Sequence, residues 1–198
     1  MGEHAKLFGA LAVVALAIYV MVDDGDIDRP PGRIAPDEPT QSVIQNGDAI
    51  VTGDYTLLPR ARFELQARVM SAERYRIDAG ADLAPIDLAL GWGEMSDSQT
   101  LQHFRVTQAA RFFTIYPDEQ SIDIPTALRQ SANMHLIPGD ASVRKTLLRA
   151  RIGNVVKLSG YLVSASRADG FTWNSSMTRD DTGAGACELM YVQSASLW

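Results

Sequence analysis

A thiol, an imidazole and a side-chain amide are the parts of a cysteine nucleophile, its base and the group that orients the base, and Cys187, His135 and Asn133 supply one such set. Cys187 is the single cysteine, so no intramolecular disulfide forms. Of the three histidines, His4 precedes the first apolar run, which leaves His103 and His135 as bases. His135 lies in Asn133-Met134-His135-Leu136-Ile137-Pro138. Against catalysis, Cys187 alternates in phase with Leu189 and Tyr191, the pattern of a small buried residue on an apolar strand face. A structural role is therefore expected for it. One Cys and two separated His give no ligand spacing for a metal, and no motif calls for a cofactor.

A second set lies in Arg179-Asp180-Asp181-Thr182-Gly183-Ala184-Gly185-Ala186-Cys187-Glu188. Asp181-Thr182-Gly183-Ala184 matches the short signature of aspartic proteases, but polar Thr178-Arg179-Asp180 precedes it in place of an apolar strand. Only fourteen residues follow Ala184, too few for the rest of a protease lobe. As a binding loop, the backbone amides of Gly183 and Gly185 suit an anion, and Asp180 and Asp181 suit a cation. The loop has neither Gly-Lys-Ser/Thr nor the spaced oxygen ligands of a calcium loop, and a Gly-rich connection between strands accounts for it more simply. Trp92, set between Gly91 and Gly93, completes the candidate binding residues: the glycines let backbone approach the ring, as a ligand shelf or as a tight corner over the core. The corner is the simpler expectation.

These residues need a frame. Phe63, Leu65, Ala67 and Val69 alternate with Glu64, Gln66 and Arg68, the period of a half-buried strand. Leu83 to Leu90, with Pro85 inside and Gly91 after it, predicts one or two helical turns. Ser96 with Gln99 suggests a capped turn. Phe104 to Tyr116 predicts a strand broken near Ala109-Ala110, Pro125 to Asn133 a short helix, and Asp140 caps a helix running to about Ala150. Val155 to Ser164, Phe171 to Met177 and Cys187 to Gln193 predict three strands of an antiparallel meander, with Gly160 marking a bulge or bend. The class expected is α+β: an N-terminal transmembrane helix, then a small curled antiparallel sheet with short inserted helices, the curl admitting a barrel similar to the oligonucleotide-binding type.

The membrane expectation rests on Leu7 to Val22, an uncharged apolar run between Lys6 and Asp23 that spans about 24 Å as a helix. A cleavable signal peptide fits less well, because Ala15-Leu16-Ala17 lies inside the run and not after it. The organisation that follows is a tail over 1–6, an anchor over 7–22, an acidic, Pro-rich tether over 23–46 and one globular domain over 47–198. The start has the layout of a signal-anchor, which directs the domain to the far side of the membrane. A net charge of −6 with scattered basic residues carries no footprint for nucleic acid.

Ser131 to Pro138, taken with Trp173-Asn174-Ser175-Ser176 and Asp181 to Glu188, resembles a group of uncharacterised bacterial membrane-anchored proteins over roughly Phe63 to Val192. That resemblance implies a bacterial inner membrane with the domain in the periplasm, and carries over no activity, cofactor or catalytic residue. The function expected is a membrane-anchored, non-enzymatic binding domain with a protein partner in the envelope or a small ligand. The alternative is a membrane-tethered hydrolase or transferase using Cys187 and His135.

Overall fold

The computed structural model describes residues 25–178 and 187–198. Strand occupies 49% and helix 13%. The α+β class is therefore corrected: the protein is mostly β, built on one large sheet. The transmembrane, single-pass and signal-anchor expectation is corrected with it, since no helix among the described residues is long and apolar enough to cross a membrane. Residues 7–22, on which that expectation rested, lie outside the described residues.

Residues 25–46, read as a tether, lie along the domain. Ile27 N–H bonds the Ile152 carbonyl, Ala35 is buried, and β1 (Thr40–Val43) pairs with the third strand. After β2 (Ile50–Thr52) comes β3 (Tyr55–Arg74), whose burial alternates strictly as far as Leu65. Pro59 breaks the sequence pattern, and the structure absorbs it at a register shift between Pro59 and Ala61. β4 (Ile86–Gly91) stands where helical turns were predicted. All of its side chains are buried, and a short apolar run covered on both faces has no period that tells strand from helix.

A 3-10 turn (Gly93–Ser96) leads to α1 (Ser98–Leu101), capped by Asp97 and not by Ser96. The predicted broken strand is a hairpin of β5 (Phe104–Ala109) and β6 (Phe112–Pro117), turning at Ala110 and Arg111 with φ of 49° and 70°. α2 (Ile124–Arg129) stops short of Asn133, which belongs to β7 (Ser131–Pro138). Asp140 Oδ1 accepts from Val143 N–H at 2.8 Å and starts α3 (Ala141–Leu147). β8 (Val155–Arg167), β9 (Thr172–Asn174) and β10 (Glu188–Leu197) complete the chain.

The last three strands do not form a meander. β9 and β10 share the edge of β8 opposite β3, β9 on Ser164–Ser166 and β10 on Val156–Leu162, and β10 on its other edge runs parallel to β7 and does not pair with β9. The pairings then close into a ring: β3 to β4, β4 to β7, β7 to β10, β10 to β8, and β8 back to β3. A strand of 20 residues makes this closure possible, because β3 pairs with β8 over Tyr55 to Arg68 and with β4 over Arg68 to Arg74. Gly160 sits where β10 shifts register between Val192 and Ser194, and a Cβ there would collide with the Tyr191 carbonyl. The bend inferred from Gly160 thus corresponds to a bulge on the facing strand.

Phe63, Leu65, Leu88, Met134, Leu136, Leu158, Leu162 and Met190 fill the ring, and Val143 and Leu147 of α3 join the same cluster. A second cluster lies on the other face of the strands, with Leu57, Ile137, Val163 and Leu189 under Phe171 and Trp173. The hairpin packs through Phe104, Val106, Phe113 and Ile115 onto Met70 and Met95.

Candidate functional site

Alternation along β4 and β7 sends Leu88 and Leu136 into the ring and turns Asp87, Asn133 and His135 to the outer face. Asp87 and His135 are direct cross-strand partners. Asp87 is 0% exposed and His135 3%. A carboxylate in so dry a place requires a partner, and the hairpin tip provides it. Arg111 Nη1 donates to Asp87 Oδ1 at 2.7 Å and to the Ala84 carbonyl at 2.9 Å.

The same guanidinium forks onto Asp78, Nε to Oδ2 at 3.0 Å and Nη2 to Oδ1 at 2.8 Å, and lies 3.6 Å from the centre of the Tyr75 ring. Burial raises the Asp78 carboxyl, but bonding from Arg111 and the Gly80 N–H outweighs it and holds the group below the usual carboxylate range. The Tyr75 hydroxyl accepts the Arg111 N–H at 3.0 Å, and burial raises that phenol. His135 Nδ1 approaches Asp87 Oδ2 to 2.9 Å without the alignment of a hydrogen bond, and among the described residues neither atom has a hydrogen-bond partner. The Trp173 ring covers the imidazole at 4.7 Å between centroids.

Asn133 and Cys187 complete the cluster. Asn133 accepts from Gln108 Nε2 at 2.6 Å and donates through Nδ2 to the Arg111 carbonyl at 2.9 Å. The Cys187 sulfur lies 3.7 Å from that Nδ2 and donates to the Arg111 carbonyl at 3.8 Å. Cys187, His135 and Asn133 therefore meet on one face, but not in the order a thiol triad needs. Asn133 faces the sulfur, and the Nδ1 of His135 faces Asp87. The sulfur is thus held between the Asn133 amide and the Arg111 carbonyl, with no imidazole as its hydrogen-bond partner in either contact.

Trp92 is 1% exposed and joins the ring core, and a Cβ at Gly91 would meet the Met95 carbonyl. The close approach read from its flanking glycines is thus a corner of the core. Asp180, Asp181, Gly183 and Gly185 lie outside the described residues. His103 is apart from the cluster, its Nδ1 3.0 Å from Asp118. Among the described residues no three His, Cys, Asp or Glu side chains gather as metal ligands, and the positive charge amid Asp78 and Asp87 is Arg111 itself.

Arg111, Asp78, Asp87, Tyr75 and Trp173 were not singled out from sequence as site residues. Asp87 had a readable signal: one acid inside the otherwise apolar run Leu83 to Leu90. Such an acid is buried with a cation, and the pairing partner lies 24 positions away in a turn. No protein-family model, curated protein or solved structure matches this chain.

Proposed function

We propose that the domain is a non-enzymatic binding module for a protein partner, with the outer face of the β5–β6 hairpin and the adjoining Ile77 as its contact surface. The carrying observation is a division of labour at the hairpin. Its tip is fixed to the barrel by Arg111, which spends its donors on Asp78, Asp87 and Ala84, so the polar groups there are used internally.

The side chains beside it are left to solvent. Ile77 is 99% exposed, Phe112 46% and Tyr116 45%. Phe112, Thr114 and Tyr116 share one face of β6 by strand alternation, and the Arg105 guanidinium lies 3.9 Å from the centre of the Tyr116 ring. Ile77 lines an open depression with Ala110 and Arg111. Exposed aromatic rings with an arginine are the residue types that dominate protein contacts, and a rigidly held hairpin presents them with little ordering cost on association.

The test is site-specific photo-crosslinking. A benzoyl photophore at position 116 should give a discrete protein adduct that Ile77→Ser with Phe112→Ser removes, and a photophore at exposed Val51 should not give it. Equal yields from the two positions, or acylation of Cys187 by an ester substrate with a rate that depends on His135, would overturn the reading.

A further inference from the structure

The β5–β6 hairpin is a sheet of its own, apart from the ring. β5 lies against β3, which leaves β6 as the outer strand. The ladder fixes which backbone groups of β6 point outward. Asp118 N–H bonds the His103 carbonyl, so by alternation Arg105–Tyr116, Thr107–Thr114 and Ala109–Phe112 are the hydrogen-bonded pairs. The amides and carbonyls of Phe113 and Ile115 therefore face away from β5. None of them has a hydrogen-bond partner among the described residues.

Proteins keep such an edge short, charged or broken, because unpaired strand groups recruit another strand. β1 and β9, which end the large sheet, run only four and three residues. β6 runs six, and its stretch Phe112-Phe113-Thr114-Ile115-Tyr116 has no charge, proline or glycine. Its tip is tied down by Arg111, so the edge is held in place for a partner.

We propose that β6 pairs edge to edge with β6 of a second copy of this chain, antiparallel about a twofold axis at Thr114. The proposal rests on the hairpin as the contact surface and names its partner. This register sets Phe113 of one copy opposite Ile115 of the other, so all of the outward amides and carbonyls are used. Moving the axis to Phe113 would set Ile115 against Arg111, whose N–H is already donated to Tyr75. Moving it to Ile115 would set Phe113 against Pro117, which has no N–H. The side chains agree with the central register. Phe112 of one copy stands opposite Tyr116 of the other, and Thr114 opposite Thr114, at the non-hydrogen-bonded positions where cross-strand side chains come closest. Two ribbons, each of little stability alone, become one continuous sheet.

The test is sedimentation of the full chain together with cross-linking at chosen positions. The chain should sediment as a dimer, and Thr114→Lys, which opposes like charges at the axis, should raise the dissociation constant about tenfold. Thr114→Cys should cross-link copies on mild oxidation, as should a mixture of Phe112→Cys and Tyr116→Cys chains. Val51→Cys on exposed β2 should not, and the natural chain with Cys187 alone sets the background. Thr114 is exposed, so its variants should keep the fold. A dimer indifferent to Thr114→Lys, or cross-linking at Thr114→Cys no greater than at Val51→Cys, overturns the proposal. So does a monomer whose Phe113 and Ile115 amides resist hydrogen exchange, because another segment of the same chain then covers the edge. A monomer that gives an adduct with a different protein from the photophore at position 116 overturns self-pairing and leaves the hairpin reading standing. A monomer with no adduct there removes both.

Discussion

Arg111 and Asp87 stand 24 positions apart on separate sheets, and a 2.7 Å bond joins the guanidinium of a surface turn to a carboxylate with no exposed surface. Removing one partner leaves the other charge stranded. Arg111→Ala should therefore cost about 3–5 kcal/mol in denaturant unfolding. Arg111→Met combined with Asp87→Asn should recover most of that loss, because the buried charge goes with its partner. Equal instability of the single and double variants would show that the pair does not anchor the hairpin.

The Arg111 fork also gives the cluster an acid-side pH dependence. The folded carboxyl of Asp78 titrates below its unfolded value of about 3.9. Its contribution is thus complete above that value and is lost as pH falls through the lower folded one. Stability measured from neutral pH downward should decline below about pH 4. In Asp78→Asn that part of the decline should be smaller.

Cys187 bears on the choice between binding and thiol chemistry. With its sulfur against the Arg111 carbonyl, it should react slowly with a thiol reagent at neutral pH, and His135→Ala should not slow it further. Rapid labelling that falls in His135→Ala would restore the enzyme alternative.

The bulge opposite Gly160 is checked by two alanines. Gly160→Ala drives a methyl into the Tyr191 carbonyl and should destabilise the domain by about 1–3 kcal/mol. A Cβ at Gly25 meets nothing within 4 Å, so Gly25→Ala should leave the melting temperature unchanged.

Legibility followed the range of the forces. Local bonding was readable: the Asp140 cap, the break near Ala110 and the core of β8 all rest on neighbours within a few positions. The class was not, because Pro59 hid the first half of β3 and the run Leu83 to Leu90 is buried on both faces. With β4 and the first half of β3 unread, the helix signals carried too much weight and the ring had no visible closure. At the site, Cys187, His135 and Asn133 were named only as the alternative to a structural cysteine, and β7 and β10 carry them to one face. The direction in which each side chain is spent depended on Arg111, whose turn sequence Ala109-Ala110-Arg111 announces only a reversal of the chain.

Ring closure also sets a timetable. β10 is the last strand in chain order, yet it lies between β7 and β8, with Glu188 opposite Met134 and Met190 opposite Leu162. During synthesis the other strands emerge first with one gap in the ring, and two strand edges stay open until β10 arrives. Before that closure comes a second entropic cost, the β3–β8 pairing, which joins segments as far apart as Tyr55 and Arg167, 112 positions apart. Refolding should accordingly take about milliseconds to seconds, the range of folds ruled by non-local pairing. The interval before closure is when an exposed strand edge is most open to aggregation.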